Sequence, residues 1–439
     1  MQTVTDSQSK KSTLISIVII GTMFFIFGLV SWVNAILIPY FKIACELTHF
    51  ESYFVTFAFY IAYLVLSVPA AFFLKKVGYK RGMVYGFWAM AIGALLFVPA
   101  ALTRTYGLFL TGLFVIGTGL TVLQSASNPY ITIIGPIESA AKRISIMGIC
   151  NKFAGIISPL IFAAVVLKVT DSDLFLLLES GTLDVATQNS LLDGLIRRVI
   201  LPYSILSVLL FLFGLFVRHS VLPDLNPEES NKESVKDKYK QSVFQFPYLI
   251  LGAWALFFHV GTQVIAIDTI IGYAGTMGMD LLEAKVFPSY TLSMTIIGYI
   301  LGIILIPKYI SQTRALQICS VTGFLFSLGI VLLNHPVTIL GHTTDLSIWF
   351  LCALGLPNSL IYAGIWPLSI HGLGRFTKMG SSLLIMGLCG NGIMPVLYGY
   401  LADHWDVQSG YWLLIPCYLY LIFFAVYGYR IHKWPLILK

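Results

Sequence analysis

Charged residues are scarce in this sequence. They make up 11% of its 439 residues, against about a quarter in a soluble domain. Hydrophobic residues make up 57%, and the mean hydropathy is +0.85. This composition excludes a soluble globular protein and predicts a chain that crosses a membrane many times.

The sequence also lacks the motifs of several kinds of chemistry. None of its 6 cysteines belongs to a CxxC pair, so we expect neither a disulfide framework nor a zinc site. No phosphate-binding loop, glycine-rich nucleotide motif, catalytic triad or metal-ligand cluster is present. We therefore expect neither an enzyme nor an ATP-driven pump, and no resident metal or cofactor.

Long apolar runs are abundant instead. A membrane-spanning helix needs about 20 largely apolar residues. The first such run follows Lys10 and Lys11 and is too long for the core of a signal peptide, so we interpret it as a span. The runs predict an all-α membrane protein with twelve transmembrane helices, at residues 14–41, 52–74, 83–102, 107–133, 144–167, 198–217, 247–274, 287–307, 315–334, 347–370, 380–401 and 411–429.

The spans fall into two sets of six. A polar stretch, Arg218–Gln245, separates them, and Ile146–Cys150 recurs in similar form as Ile385–Cys389. We expect two six-helix bundles related by pseudo-two-fold symmetry, as in transporters built from parallel repeats. The predicted division is 1–217, a cytoplasmic linker at 218–246, and 247–439. Prolines are expected to break spans at matching places in both halves, at Pro129, Pro159, Pro367 and Pro395.

The placement of basic residues predicts the orientation. The net charge is +7, which could suggest nucleic-acid binding. With the N-terminus in the cytoplasm, however, about 20 of the 27 lysines and arginines lie in cytoplasmic loops. The excess of lysines and arginines thus indicates the orientation of the chain in the membrane, and not nucleic-acid binding. We expect both termini in the cytoplasm, a lipid bilayer rather than nucleic acid as the partner, and a monomer.

Two charged residues lie deep within predicted spans. Lys152 is about 13 Å beyond Arg143 along a helix, too deep to snorkel back to the headgroups. Asp268 is the acid that lies within a span. A coupling or gating role is one interpretation of both, with the two side chains paired in one conformational state. The alternatives are a Lys152 bonded to backbone carbonyls at a kink and a partly hydrated Asp268 near the outer mouth.

Uncharged amides recur in both halves of the chain. An amide offers a donor and an acceptor without net charge, which suits the hydroxyls of a sugar. Trp32 and Trp366 could stack on the apolar face of a pyranose. Hydrogen bonding between helices is the alternative for each amide. The candidate amides are Asn34, Gln124, Asn128, Asn151, Gln263, Asn358 and Asn391.

Short motifs along nearly the whole chain resemble a known family. They are Phe24–Gly28, Trp32–Pro39, Phe59–Tyr63, Lys75–Lys80, Leu123–Thr132, Val260–Gln263 and Gly390–Pro395. The chain resembles the fucose–galactose–glucose symporter family of the major facilitator superfamily, and its Trp-Asn motif is nearer to the bacterial glucose/galactose branch. The resemblance implies a central cavity, monosaccharide import by alternating access, an ion gradient as energy source, and a bacterial inner membrane.

The sequence departs from that family at the coupling positions. Where the fucose branch carries acids, this chain has Ala35 and Gln124, and it has Gln263 where glucose/galactose relatives carry a glutamate. Proton coupling through those acids is therefore not implied. Coupling through Asp268, a sodium ion held by amide and carbonyl oxygens, and uncoupled facilitation all stay open. A sugar sensor on a transporter scaffold is a further alternative.

Overall fold

The computed structural model describes residues 2–133, 140–168, 171–179, 183–222, 241–306, 308–370, 372–373 and 376–434. Within these residues, 12 helical segments are long and apolar enough to cross a membrane, which confirms the predicted all-α architecture. In chain order the spans consist of Gln2–Trp32 with Asn34–Ala44; Phe54–Val77; Tyr79–Leu95 with Phe97–Thr103; Tyr106–Ile133; Ala140–Val166; Val185–Arg197 with Ile200–His219; Pro247–Asp268; Leu281–Ala284 with Phe287–Leu305; Gln312–Leu332; Leu346–Ala353 with Gly355–Ile370; Thr377–Met386 with Gly390–His404; and Leu414–Val426.

Shorter elements connect the spans. The short helices are His49–Ser52, Asp171–Glu179 and Ile270–Thr276, and 3-10 turns lie at Val243–Gln245, Gly387–Cys389, Ser409–Leu413 and Gly428–Arg430. The sixth span begins earlier than predicted, because the helix Val185–Arg197 runs almost directly into Ile200–His219. Its start is fixed by Asp184, whose side chain accepts a hydrogen bond from the Thr187 backbone N–H.

A β-hairpin that the sequence analysis did not predict precedes the tenth span. Pro336–Ile339 pairs antiparallel with His342–Asp345. The two turn residues, Leu340 and Gly341, have φ values of 53° and 85°, as a tight hairpin turn requires. The run of β-branched residues before Gly341 is the feature of the sequence that could have predicted this hairpin.

The helices break at other places than the prolines. Pro129, Pro159, Pro367 and Pro395 all lie inside continuous helices, so the expected breaks there were wrong. The first span breaks instead at Val33, between Trp32 and Asn34. A proline removes one backbone donor, and a neighbouring helix can compensate for that loss inside a membrane protein.

Packing is closest within each set of six spans. The fourth span packs against the second and third, and the first against the fifth; the seventh packs against the tenth, eleventh and twelfth. Glycines permit this approach: a Cβ on Gly117 would lie 2.0 Å from the Phe59 carbonyl oxygen, and one on Gly355 2.0 Å from that of Thr291. Contacts between the two sets run mainly along the fifth and eighth spans and along the second and eleventh.

Gly117→Ala should destabilise the protein, by about 3 kcal/mol, because the added methyl group meets backbone that cannot rotate away. The control is Gly107→Ala in the same span, since nothing lies within 4 Å of a Cβ there. The thermal midpoint of detergent-solubilised protein, followed by size-exclusion chromatography, measures both. Equal midpoints for the two variants would contradict the packing described.

Candidate functional site

The break in the first span positions Trp32. This residue is only 5% exposed, and its indole Nε1 donates to Asn151 Oδ1 on the fifth span at 3.1 Å. Asn151 Nδ2 in turn donates to the Phe24 carbonyl oxygen at 3.2 Å. The oxygen and the nitrogen of the Asn151 amide therefore both form hydrogen bonds with the first span.

Trp32 also lies where the two sets of spans meet. A Cβ on Gly155 would come within 2.4 Å of Trp32 Cδ1, so a glycine at that position makes room for the indole. Around the ring lies a small apolar cluster drawn from the first, seventh and eighth spans: Trp32, Ala35, Val264, Ile267 and Leu292. We call the contact formed by Trp32, Asn151, Lys152 and Gln263 the seam.

Lys152 lies at the centre of the seam. It is 6% exposed, its Nζ lies 3.9 Å from the centroid of the Trp32 ring, and Nζ donates to Gln263 Oε1 at 3.2 Å. In the part of the chain that the structure describes, no ion pair joins Lys152 to a carboxylate. The aromatic face and the amide oxygen partly replace the water that this ammonium loses on burial.

Asp268 has a different partner. It is 1% exposed, and its Oδ2 accepts a hydrogen bond from Thr56 Oγ1 of the second span at 3.0 Å, while Oδ1 has no hydrogen-bond partner. Asp268 follows Gln263 by five residues, so it points about 140° away around the helix axis. The hypothesised pair of Lys152 with Asp268 is therefore absent from this conformation and stays a prediction for another one.

The other predicted amides lie in several environments. Gln124 lies on the fourth span and is half-buried, and Tyr63 of the second span, which is buried, lies near it. Asn358 Oδ1 accepts from the Tyr418 hydroxyl at 2.8 Å, a contact between the tenth and twelfth spans. That bond joins two helices within the last six spans. It therefore fits the alternative to sugar binding, in which the amide serves hydrogen bonding between helices.

Two further amides are buried with unused hydrogen-bonding atoms. Neither Oδ1 nor Nδ2 of Asn34 has a partner, and Asn391 Oδ1 also lacks one. Asn128 lies on the fourth span, but its side chain is outside the described part of the structure. Trp366 stacks on Tyr362, with ring centroids 5.7 Å apart and planes inclined by 20°.

Three further polar residues, Tyr60, Tyr63 and His259, were not among the predicted site residues. Tyr60 and Tyr63 stack on each other at 6.0 Å. Their spacing of three residues, which places both on one helix face, was the available signal. His259 is 1% exposed, and its Nδ1 has no partner.

The predicted outer face is closed by contacts between the two sets of spans. The backbone N–H groups of His49 and Phe50 donate to the Asp403 carboxylate at 3.1 and 2.7 Å, and Ser289 Oγ donates to the Ile156 carbonyl oxygen at 2.7 Å. Burial and the neighbouring Lys42 lower the pKa of His49. The neutral ring accepts a hydrogen bond from Lys42 Nζ at Nε2, 2.7 Å away.

Comparison with known proteins gives a consistent result. The model of the Major Facilitator Superfamily matches residues 20–381. The glucose/galactose transporter of Brucella abortus is 31% identical over 427 residues, which cover 97% of this chain and 96% of that protein. The L-fucose-proton symporter of Escherichia coli is 28% identical over 413 residues, covering 91% of this chain and 89% of that protein.

Solved structures share the same fold. The crystal structure of the major facilitator transporter FucP in its outward conformation superimposes with a TM-score of 0.70, at 25% identity, over 97% of this chain and 100% of that one. An inward-facing, occupied bacterial homologue of the lysosomal transporter Spinster matches with a TM-score of 0.64 at 13% identity, covering 96% of this chain and 98% of that one. The second likeness concerns the fold alone.

Asn151→Ala should lower the free energy of unfolding by about 1–3 kcal/mol, because it leaves the buried Trp32 Nε1 without an acceptor. The matched control is Asn189→Ala, since Asn189 accepts its bond from Arg104 at the exposed surface. Its loss should cost less than about 0.5 kcal/mol. Thermal unfolding in detergent measures both, and equal losses would contradict a structural role for Asn151 at the seam.

Proposed function

Because the chain belongs to the Major Facilitator Superfamily, we propose that it is a secondary active transporter that imports a monosaccharide by alternating access. The substrate is a hexose such as glucose or galactose, N-acetylglucosamine or fucose, and Na⁺ or H⁺ is the coupling ion. The protein is a transporter rather than an enzyme. The glucose/galactose and fucose names of its relatives support the sugar class.

The proposal rests on hydrogen bonds between side chains of the two sets of spans, one at the seam and one beside it. Lys152 and Gln263 join the fifth span to the seventh, and Thr56 and Asp268 join the second to the seventh. These bonds run between side chains, so water can replace either partner when the two sets of spans separate. Contacts of this kind can open and re-form during a transport cycle.

Polar and aromatic side chains of the second, fourth and tenth spans suit a sugar. Gln124 and Tyr63 offer hydrogen-bonding groups, and the rings of Tyr362 and Trp366 offer flat apolar faces. Pockets that combine aromatic walls with a few placed polar groups are typical of small-molecule sites. We therefore propose that a central cavity opens at the seam, with the predicted amides among its ligands.

The cellular setting follows from the topology. We propose a bacterial inner membrane, with both termini in the cytoplasm and the protein working as a monomer in the lipid bilayer. The two moving units are the six-helix bundles 1–217 and 247–439, joined by the linker 218–246.

Gln124→Ala should lower hexose uptake about five- to thirtyfold, because one lost hydrogen bond to a buried polar ligand is worth about 1–2 kcal/mol. The matched control is Gln317→Ala on the ninth span, whose Nε2 donates to the Ala425 carbonyl oxygen. Initial uptake rates in proteoliposomes, normalised to the amount of inserted protein, measure both variants. Normal uptake by Gln124→Ala would remove this residue from the site.

Coupling is tested with Asp268, whose Oδ1 is buried without a partner. In proteoliposomes with separately imposed sodium and proton gradients, the wild type should concentrate a monosaccharide with one of them. Asp268→Asn should abolish accumulation and retain exchange of sugar across the membrane, because the ionisable group is removed and its shape is kept. If the wild type never exceeds the external concentration under either gradient, the protein is an uncoupled facilitator.

A further inference from the structure

The seam contains a buried lysine that has no carboxylate partner among the residues that the structure describes. Lys152 is 6% exposed, and its observed contacts are an amide oxygen and an aromatic face. Neither contact carries a formal negative charge. Asp268, the buried acid of the seventh span, is bound to Thr56 instead. A buried cation is stable only when it is paired or well solvated, so this ammonium can still accept an anion.

A second group beside Lys152 also has an unused hydrogen-bonding atom. His259 is 1% exposed, its Nδ1 has no partner, and it lies on the seventh span, which also carries the Gln263 that binds Lys152. His259 precedes Gln263 by four residues, so both side chains project from the same face of the seventh span. The fifth and seventh spans thus present an ammonium, an imidazole and an amide to one region.

We propose that the monosaccharide carried by this protein bears a carboxylate, as a hexuronate does, and that Lys152 is its counter-ion. This inference rests on the proposed function and specifies its substrate class. The carboxylate binds Lys152 Nζ, with His259 Nδ1–H as a second donor in the tautomer that carries its proton there. The ring hydroxyls bind the neighbouring amides.

The charge balance favours a carboxylate over a phosphate. Lys152 supplies one positive charge, which matches a singly charged carboxylate. A phosphate monoester carries close to two negative charges at neutral pH, and the residues of the seam would leave one of them uncompensated. A neutral sugar would leave the ammonium without a counter-ion in the bound state.

Three ligands that share one ring test the charge directly. Calorimetric titration of detergent-solubilised protein with glucuronate, its uncharged methyl ester and glucose compares them, and the galactose series repeats the comparison. We expect the uronate of the favoured series to bind about 100-fold more tightly than its ester, as for a buried charge pair that loses one partner. Lys152→Gln should abolish this preference, and Lys152→Arg should retain part of it.

The matched control is Lys308→Gln, which removes a lysine that also lies over an aromatic ring, that of Tyr309, but at the exposed surface. It should leave the preference unchanged. Size-exclusion profiles and neutral-sugar binding by Lys152→Gln show whether that variant is folded.

The outcomes separate this inference from the proposed function. If the protein binds and transports a neutral hexose, and uronates bind no better, the inference is wrong and the proposed function stands. If Lys152→Gln weakens neutral and acidic sugars equally, the charge serves the transport cycle and the inference is again wrong. If neither neutral nor acidic monosaccharides bind or are transported, the proposed function fails with it.

Discussion

The structure depends on how one buried ammonium, that of Lys152, is stabilised inside the membrane. Placing a lysine at the centre of a spanning helix costs about 3 kcal/mol on insertion scales. A desolvated cation–π contact returns about 2 kcal/mol, and a hydrogen bond between membrane helices about 0.6 kcal/mol. The two contacts observed, with Trp32 and Gln263, therefore nearly offset the cost and leave a small deficit. This near balance requires the first, fifth and seventh spans to meet at one point.

The same balance explains why the two sets of spans can separate. Inside each set, glycines bring backbone against backbone, as Gly117 does against Phe59, and no solvent molecule can substitute for such contacts. At the seam, and at the closed outer face where Asp403 accepts the N–H groups of His49 and Phe50, the joining groups are polar. Water entering an opening cavity can satisfy those groups at small cost.

Hydropathy predicted the twelve spans because length and apolarity are demanded by the bilayer, whatever the tertiary packing. It also identified Lys152, Asp268 and the amides as buried polar groups. It could not predict their partners, because a partner depends on the rotation of each helix about its axis. Asp268, which was predicted to pair with Lys152 in one conformational state, binds Thr56 in this one, while Asn358 binds Tyr418. The position of the Trp32 indole depends on another span in the same way, because a side chain at Gly155 would collide with the ring.

The unpaired charge bears on coupling as well as on recognition. In a conformation in which the predicted Lys152–Asp268 pair forms, a substrate carboxylate and the carboxylate of Asp268 would compete for the same ammonium, since Lys152 can neutralise only one of them. Whichever anion holds Lys152, the other must be neutralised by a proton, by a metal cation or by its hydrogen-bond donors. With Thr56 as its observed donor and Oδ1 unpartnered, Asp268 is the group that would take up that cation when the substrate occupies the seam. An acidic substrate would thereby link sugar binding to ion binding through a single lysine. No carboxylate of the protein would need to contact the sugar directly.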